Sequence, residues 1–361
     1  MSSLFDPLQI RGVTLPNRIA VSPMCQYSSA DGFADDWHFV HLASRAVGGA
    51  GVVFTEAAAV APEGRITPQD LGIWSGDHIP ALARITRFVQ GQGSIPAVQL
   101  AHAGRKASTS RPWEGGAGIP EERGGWKPVA PSAIRFSETY PEPRELTVEE
   151  IQDLAMAFAA AADRALEAGF RMLEIHAAHG YLFHEFLSPL SNLRRDSYGG
   201  SFDNRTRFLR ETVVKVRKKW PADLPLVVRI SSTDWVEHGW DIDQSVDLAR
   251  ELKLLDVDLI DCSSGGNVAT ARIPLGPGYQ TPFAERIRRE AGILTGAVGM
   301  ITSPVQAEQI IRTGQADLVL LAREMLRDPY WPLRAARELG VSAPYPVQYA
   351  RSGPPGSPTR S

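Results

Sequence analysis

Short apolar segments recur along the chain, and most of them are followed by an amphipathic stretch with helical spacing. Eight segments stand out, at residues 19–24, 51–57, 95–101, 172–177, 225–230, 258–263, 293–299 and 318–322. Their hydrophobicity is nearly continuous rather than alternating, which is typical of strands that are buried on both faces. The pattern therefore predicts eight parallel strands.

Helical periodicity separates these strands, most clearly at residues 147–168, 203–220, 243–255, 282–291 and 304–313. Thr147 and Glu150 have the spacing of a capping box, and Gly169 and Gly314 are helix-ending signals. Eight alternations of strand and helix predict an α/β protein with a single (β/α)8 barrel. A doubly wound sheet is the alternative, but it requires a glycine-rich turn after the first strand, where this chain has Pro-Met-Cys.

One connection is much longer than the others, because the third and fourth strands begin at residues 95 and 172. Residues 108–144 are rich in Gly, Pro, Trp and charge, and they predict a long loop over the mouth of the barrel. Residues 352–361 contain no large apolar side chain. We therefore expect one barrel domain over residues 1–351 and a disordered tail over residues 352–361.

The amino-acid composition excludes several classes of function. The 38 basic and 41 acidic residues give a net charge of −3 without any charge block, which argues against binding to nucleic acid. No apolar run is long enough to span a membrane, and the N-terminus lacks the pattern of a secretory signal. The two cysteines, Cys25 and Cys262, are too few for a disulfide framework, a zinc site or an iron–sulfur cluster. We expect a cytoplasmic protein without a metal.

Polar and small residues collect at the carboxyl ends of the predicted strands, where barrel enzymes have their active sites. Gln99 ends the third strand, and Arg229 lies on the fifth. Glycines at the ends of strands six and seven precede Arg323 at strand eight, a combination typical of a phosphate site in this fold. The chain has no dinucleotide or Walker motif, so a mononucleotide cofactor fits better than a dinucleotide.

The fourth strand ends in His176, His179 and Tyr181. Metal binding is one alternative, although the spacing lacks the glutamate of helical zinc motifs. Core histidines satisfied by the backbone are another. We favour a pair of histidine donors that polarise a carbonyl or nitro oxygen, with Tyr181 as proton donor. Taken alone, Cys25 is better explained as a small buried apolar residue than as a reactive thiol.

Several motifs, in order along the chain, resemble the Old Yellow Enzyme family, in particular its bacterial thermophilic-like subgroup, which includes xenobiotic reductases. They are NRI at 17–19, SPMCQY at 22–27, GRIT at 64–67, QLAHAGRK at 99–106, HAAHGYL at 176–182, FLSP at 186–189, YGGS at 198–201, NR at 204–205 and DCSSG at 261–265. The matches extend from residue 4 to about residue 351. Motifs that recur together in order are far more specific than any one of them.

The resemblance implies noncovalent FMN at the barrel mouth, with NADPH or NADH as the hydride donor. Matching positions assign cofactor binding to Ser22, Pro23, Met24, Cys25, Ala57, Gln99, Arg229, Ser264, Gly299, Ala322 and Arg323. Arg229 is expected at the N1/C2=O edge of the flavin, where a cation stabilises the reduced form. Arg323 is expected to bind the phosphate.

The resemblance also implies an NAD(P)H-dependent ene-reductase with ping-pong kinetics. His176 and His179 would hold the oxygen of an α,β-unsaturated carbonyl compound. Tyr181 would protonate the α-carbon after hydride transfer from the flavin to the β-carbon. Cys25 would tune the flavin potential, and Tyr27 would contact the substrate.

The segment at 344–351 resembles the C-terminal stretch with which this subgroup completes a neighbouring subunit's pocket. The resemblance thus implies a homodimer or a dimer of dimers in which Arg351 enters the partner's site. Two other functional classes stay open at this stage. A flavin-free phosphate-binding lyase or isomerase would need a lysine or a catalytic glutamate at a strand end, and no strand end has a lysine. A non-catalytic flavin-binding protein would have no use for Tyr181 and the two histidines.

Overall fold

A closed barrel of eight parallel strands forms the centre of the computed structural model, which describes residues 2–360. The strands are β1 Ile19–Val21, β2 Val52–Ala59, β3 Ile95–Ala101, β4 Met172–Ala177, β5 Leu226–Ser231, β6 Leu259–Ser263, β7 Leu294–Val298 and β8 Leu318–Leu321. Strands that follow one another in sequence pair side by side, and β8 pairs with β1 to close the ring. The prediction of a (β/α)8 barrel is confirmed.

Each strand is followed by a helix. The helices are α1 Asp36–Val47, α2 Ile79–Gly91, α3 Val148–Glu167, α4 Phe202–Arg217, α5 Ile242–Leu254, α6 Thr281–Ala291, α7 Pro304–Arg312 and α8 Trp331–Glu338. Two short helices, Leu182–Leu187 and Arg323–Arg327, precede α4 and α8. The capping box predicted for α3 is present, because the Thr147 side chain accepts from the Glu150 N–H and the Glu150 carboxylate accepts from the Thr147 N–H. Of the helices in residues 2–360, none is long and apolar enough to cross a membrane.

The barrel strands are almost wholly buried, and every residue of β2, β4 and β5 is in the interior. An antiparallel hairpin, Leu8–Ile10 with Val13–Leu15, lies against the amino ends of the strands. Its turn residue Gly12 donates to the carbonyl of Asp223 just before β5, and Arg11 forms an ion pair with Asp258 just before β6. This hairpin covers one end of the barrel. The carboxyl ends of the strands therefore form the mouth that is open to a ligand.

The connection between β3 and α3 consists of residues 102–147. It contains short 3-10 turns and a pair of two-residue strands, Val129–Ala130 with Arg144–Glu145. The indole N–H of Trp126 donates to the carbonyl of Glu63 at 2.9 Å, and Trp113 packs edge-on against Tyr27 with 5.8 Å between ring centres. Both contacts join this connection to segments that follow β1 and β2 at the mouth.

The C-terminal tail, for which the sequence predicts disorder, contacts the end of α1 and the segment after α8. Thr359–Arg360 pairs with Tyr345–Pro346, and the Arg360 guanidinium donates to the carbonyls of Ala46, Val47 and Pro344. Ala46 and Val47 end α1, where backbone carbonyls lack partners within the helix and a cation is favourable. The contacts of the tail therefore come largely from Arg360. The composition of the tail, which lacks large apolar residues, does not predict them.

Replacing Arg360 tests whether the tail is docked. Arg360→Ala removes the charged donor from the end of α1, and we expect the free energy of unfolding in urea to fall by about 1 kcal/mol. Arg327→Ala, which removes an exposed arginine paired with Glu324 within one helix turn, is the matched control and should change stability by less than about 0.5 kcal/mol. Equal stabilities for the wild type and both variants would show that the tail does not dock through Arg360.

Candidate active site

All but one of the residues singled out in the sequence lie at the barrel mouth. Ser22, Pro23, Met24, Cys25 and Tyr27 follow β1; Ala57 lies in β2, Gln99 in β3, His176 in β4 and Arg229 in β5; His179 and Tyr181 follow β4; Ser264 follows β6, Gly299 follows β7, and Ala322 and Arg323 follow β8. Arg351 is exposed in the 3-10 segment Val347–Ser352, beyond α8.

His176 is buried and electrically neutral. Its Nδ1 accepts a hydrogen bond from the Ala178 N–H at 3.2 Å, so the neutral ring carries its proton on Nε2. Desolvation, together with the nearby positive charge of Arg229, lowers the pKa of His176 well below its usual value. The ring is therefore an uncharged donor at neutral pH.

His179 lies beside His176, with 5.1 Å between the centres of the two imidazole rings. Its Nε2 is 2.6 Å from the Ser263 hydroxyl, and its backbone N–H donates to Ser231 at 2.9 Å. Desolvation and Arg229 also lower the pKa of His179 well below its usual value. When the Ser263 hydroxyl donates to Nε2, the neutral ring carries its proton on Nδ1 and can donate from that atom.

The turn that carries His179 is held by contacts from distant parts of the chain. The Lys106 ammonium donates to the carbonyl of His179 at 2.7 Å and to the carbonyl of Gly266. Gly180 has φ of +72°, and a Cβ at that position would lie 2.3 Å from the Gly266 carbonyl, so only glycine fits. The Gly180 N–H donates to Nδ1 of His184 at 2.9 Å, and His184 Nε2 pairs with the buried Asp234 at 2.9 Å.

Tyr181 is the N-cap residue of the short helix Leu182–Leu187. Its ring packs edge-on against His176, with 5.1 Å between ring centres. The Lys106 ammonium lies 5.6 Å from the centre of the Tyr181 ring. Desolvation raises the pKa of the Tyr181 phenol well above its usual value, so the hydroxyl keeps its proton at neutral pH. A protonated phenol beside two neutral imidazole donors can act as a general acid.

The segment after β1 is anchored by a buried carboxylate. One oxygen of Glu56 accepts from the Gln26 N–H at 3.0 Å, and the other lies 3.2 Å from His38 Nε2. Gln26 separates Cys25 from Tyr27, so Glu56 positions both. Burial, with the charges of Asp70 and Glu56, raises the pKa of the Cys25 thiol well above its usual value. The thiol therefore stays neutral, which argues against a nucleophilic role.

A cavity of about 190 Å³ lies at the carboxyl ends of β7 and β8. Its lining includes Gly299, Ala322 and the exposed Arg323, which begins the short helix Arg323–Arg327. Gly299 has φ of +117°, and a Cβ there would lie 2.7 Å from the side-chain nitrogen of Gln280. A guanidinium, backbone N–H groups and a glycine that allows close approach are the features of a phosphate site.

Two polar side chains lie deeper in the mouth. Arg229 is buried, with Nη1 donating to the Ser22 hydroxyl at 3.2 Å and Nε 3.2 Å from a carboxylate oxygen of Asp261. Gln99 is also buried, and its side-chain nitrogen donates to Glu174 at 2.6 Å. A phosphate cavity at the rim and a buried cation and amide deeper inside fit a flavin mononucleotide. Within residues 2–360 there is no group of three or more His, Cys, Asp or Glu side chains arranged to hold a metal ion.

Comparison with known proteins identifies the family. Residues 3–341 match the model of the NADH:flavin oxidoreductase / NADH oxidase family. The NADPH dehydrogenase of Geobacillus sp. (strain WCH70) is 51% identical over 350 residues, which cover 96% of this chain and 98% of the relative. The chain belongs to this family, and it is an NAD(P)H-dependent flavin oxidoreductase with FMN as its cofactor.

Two solved structures share the barrel over nearly its whole length. Morphinone reductase in complex with tetrahydroNAD has a TM-score of 0.79 and 26% identity, covering 100% of this chain and 98% of that protein. The old yellow enzyme homologue from Zymomonas mobilis also has a TM-score of 0.79 and 26% identity, covering 99% and 98%. The predicted membership of the Old Yellow Enzyme family is confirmed.

Several residues of the site had no assigned role in the sequence analysis. They are Glu56, Lys106, His184, Ser231, Asp234 and Ser263, which hold His179 and the segments that carry Tyr181 and Cys25. Lys106 and Ser263 lie inside motifs quoted above, so the motifs drew attention to these positions. The contacts themselves join segments that are far apart in sequence, and no local pattern indicates them.

The enclosed Lys106 gives a test of this geometry. Desolvation and Arg105 lower the pKa of Lys106 to about 7, whereas an unfolded lysine titrates near 10.4. Between these values the unfolded chain binds more protons than the folded chain, so Lys106 makes stability rise with pH, by at most about 1.4 kcal/mol per unit.

Urea unfolding at a series of pH values between 7 and 10 measures this contribution. We expect Lys106→Met to make the slope of unfolding free energy against pH less positive than in the wild type. Lys218→Met, an exposed lysine after α4, is the control and should leave the slope unchanged. A wild-type slope in the Lys106→Met variant would show that the ammonium is not desolvated.

Proposed function

We propose that this flavin oxidoreductase is an ene-reductase, which reduces the activated C=C bond of α,β-unsaturated carbonyl compounds, and of nitro compounds, by a ping-pong mechanism with NADPH or NADH. The observation that carries the proposal is the cluster of His176, His179 and Tyr181 at the mouth, two neutral donors beside a protonated phenol. A protein that only stored flavin would need none of these three groups. The tyrosine and the paired histidines therefore favour catalysis over non-catalytic flavin binding.

FMN, when bound, would supply the hydride chemistry, by which a hydride from the nicotinamide reaches the β-carbon of the substrate. We propose that Arg323 and Gly299 hold its phosphate, because they line the cavity at the ends of β7 and β8. Gln99 and Arg229 would contact the pyrimidine part of the ring system. The remaining proposed contacts are Ser22, Pro23, Met24, Cys25, Ala57, Ser264 and Ala322.

His176 and His179 bind and polarise the substrate oxygen. His176 offers its Nε2–H, and His179 offers Nδ1–H when Ser263 satisfies Nε2. Hydride addition to the β-carbon places negative charge on that oxygen, and two fixed donors stabilise it more than they stabilise the neutral carbonyl. Because the donors are uncharged, they do not need a counter-ion in the desolvated mouth.

Tyr181 supplies the proton for the α-carbon. Its phenol stays protonated at neutral pH, and the protonated form of the neighbouring Lys106 would stabilise the phenolate that remains after transfer. Tyr27 would contact the substrate from the opposite segment, with Trp113 of the long connection packed on it. Cys25, as a neutral thiol, would modulate the electronics of the flavin.

Assembly is part of the proposal. Arg351 is exposed beside Tyr349, whose hydroxyl lies 3.4 Å from that of Tyr330. We propose a homodimer or a dimer of dimers in which this segment reaches a partner subunit and Arg351 completes the partner's pocket. Both cysteines are free thiols, which agrees with a cytoplasmic location.

Tyr181→Phe tests the proton donor. The variant should slow reoxidation of the reduced enzyme by 2-cyclohexenone by about 10²- to 10⁴-fold, because a general acid is lost. Reduction by NADPH should keep its rate, since the phenol takes no part in that half-reaction. Stopped-flow absorbance under anaerobic conditions separates the two steps.

Tyr198→Phe is the control for this experiment, because its hydroxyl pairs with Glu211 on α4, outside the cluster at the mouth. It should leave both half-reactions unchanged. Equal slowing of both half-reactions by Tyr181→Phe would contradict the assignment of Tyr181 as proton donor.

Truncation after Tyr349 tests the shared pocket. We expect the shortened chain to show a raised KM for the enone, because Arg351 no longer reaches the partner's site, and a smaller average mass in light scattering. Arg360→Ala in the full-length chain is the control for effects of the tail alone. A truncated protein with the mass and KM of the wild type would exclude a role for the terminus.

A further inference from the structure

Two carboxylic acids are buried inside the barrel, next to the proposed contacts of the flavin. Glu174 lies on β4 and Asp261 on β6, both with 0% exposed surface, and Arg229 lies on the strand between them. Alternate strands of such a barrel contribute side chains to the same interior layer. Glu174 and Asp261 therefore belong to one layer, and no step of the mechanism above uses either of them.

Each carboxyl group holds a side chain that faces the cofactor site. Asp261 pairs with Arg229 Nε at 3.2 Å, and Glu174 accepts from the Gln99 amide at 2.6 Å. Both acids lie beside Arg229 in the strand register: Asp261 pairs with it across β5 and β6, and Glu174 is two residues before His176, which pairs with it across β4 and β5. Among residues 2–360, Oε2 of Glu174 and both oxygens of Asp261 are buried without a hydrogen-bond donor, and Asp261 Oδ2 has only the ion pair with Arg229. Such oxygens are satisfied when one acid keeps its proton and donates it to the other.

The charges lead to the same conclusion. Two ionised carboxylates that share a desolvated site repel each other, and one cation, Arg229, offsets only one of them. Asp261 is the acid in contact with the guanidinium, so it is the one that ionises. Burial and the charge of Asp261 raise the pKa of Glu174 well above its usual value, in agreement with this order.

We propose that Glu174 keeps its proton throughout the catalytic cycle and donates it to Asp261, so that this pair acts as a positioning unit that partly offsets the charge of Arg229 and fixes the orientation of Gln99. The proposal rests on the placement of FMN against Gln99 and Arg229 given above. The flavin gains negative charge on reduction, and Arg229 stabilises that charge. Asp261 partly neutralises Arg229 and therefore holds the flavin potential lower than a free guanidinium would.

The midpoint potential of the bound FMN separates the roles of the two acids. Asp261→Asn removes the negative charge but keeps the shape, and should raise the ratio of reduced to oxidised flavin at a fixed potential at least tenfold. For a two-electron couple that ratio corresponds to a shift of about +30 mV. Glu174→Gln is isosteric with a protonated glutamic acid and should change the ratio less than threefold. A shift with Glu174→Gln that equals or exceeds the shift with Asp261→Asn would overturn the assignment.

A second measurement needs neither flavin nor turnover. The infrared spectrum of the apoprotein at neutral pH should contain the C=O stretch of a buried carboxylic acid that is absent in Glu174→Gln. The difference spectrum isolates this band from those of other protonated acids. No such difference would show that Glu174 is ionised and would overturn the proposal, whether or not Asp261→Asn yields folded protein.

The two readouts also distinguish this proposal from the proposed function. The infrared band with unchanged potentials in both variants would contradict the link between the carboxyl pair and the flavin. The band and the expected potentials in an enzyme that fails to reduce enones would contradict the ene-reductase assignment alone.

Discussion

Desolvation at the carboxyl end of the barrel controls every protonation state on which the chemistry depends. It lowers the pKa of His176 and His179, so both rings are neutral donors, and it raises the pKa of Tyr181, which keeps a proton to give. The same effect keeps the Cys25 thiol neutral. Arg229 is the buried cation beside them, and Asp261 is paired with it. A site built this way is suited to the proposed substrate, whose oxygen becomes negative during the reaction, because the site carries no excess charge of its own.

Holding neutral groups in place requires hydrogen bonds rather than ion pairs, and the barrel supplies them from several strands. Ser231 at the end of β5 and Ser263 at the end of β6 fix the backbone and ring of His179. Lys106, which follows β3, holds the carbonyl of the same residue. Each anchor comes from a different β/α unit, so the geometry of the site depends on closure of the whole barrel. Residues that do not touch the substrate, such as Ser263 and Lys106, can therefore determine the orientation of His179.

The fold could be predicted from the sequence because burial on both faces leaves a continuous apolar signal at each strand. The barrel, the capping box at Thr147 and the location of the site at the strand ends all follow from local patterns. The contact of His179 with Ser263 joins residues 84 positions apart, and that of Arg360 with Ala46 joins residues 314 apart. Neither contact produces a periodic pattern in the sequence. The tail shows the limit most clearly, since its composition predicts disorder and gives no sign of the contacts that the Arg360 guanidinium makes at the end of α1.

In the proposed reaction, a protonated tyrosine and two neutral histidines act on an enone held against reduced FMN. The most direct measurement is the flavin absorbance of the purified enzyme under anaerobic conditions, followed first with NADPH and then with 2-cyclohexenone. We expect bleaching by NADPH, full recovery of the oxidised spectrum on adding the enone, and formation of cyclohexanone in an amount equal to that of the flavin. Bleaching without recovery by the enone, although oxygen restores the spectrum, would contradict the proposed reaction.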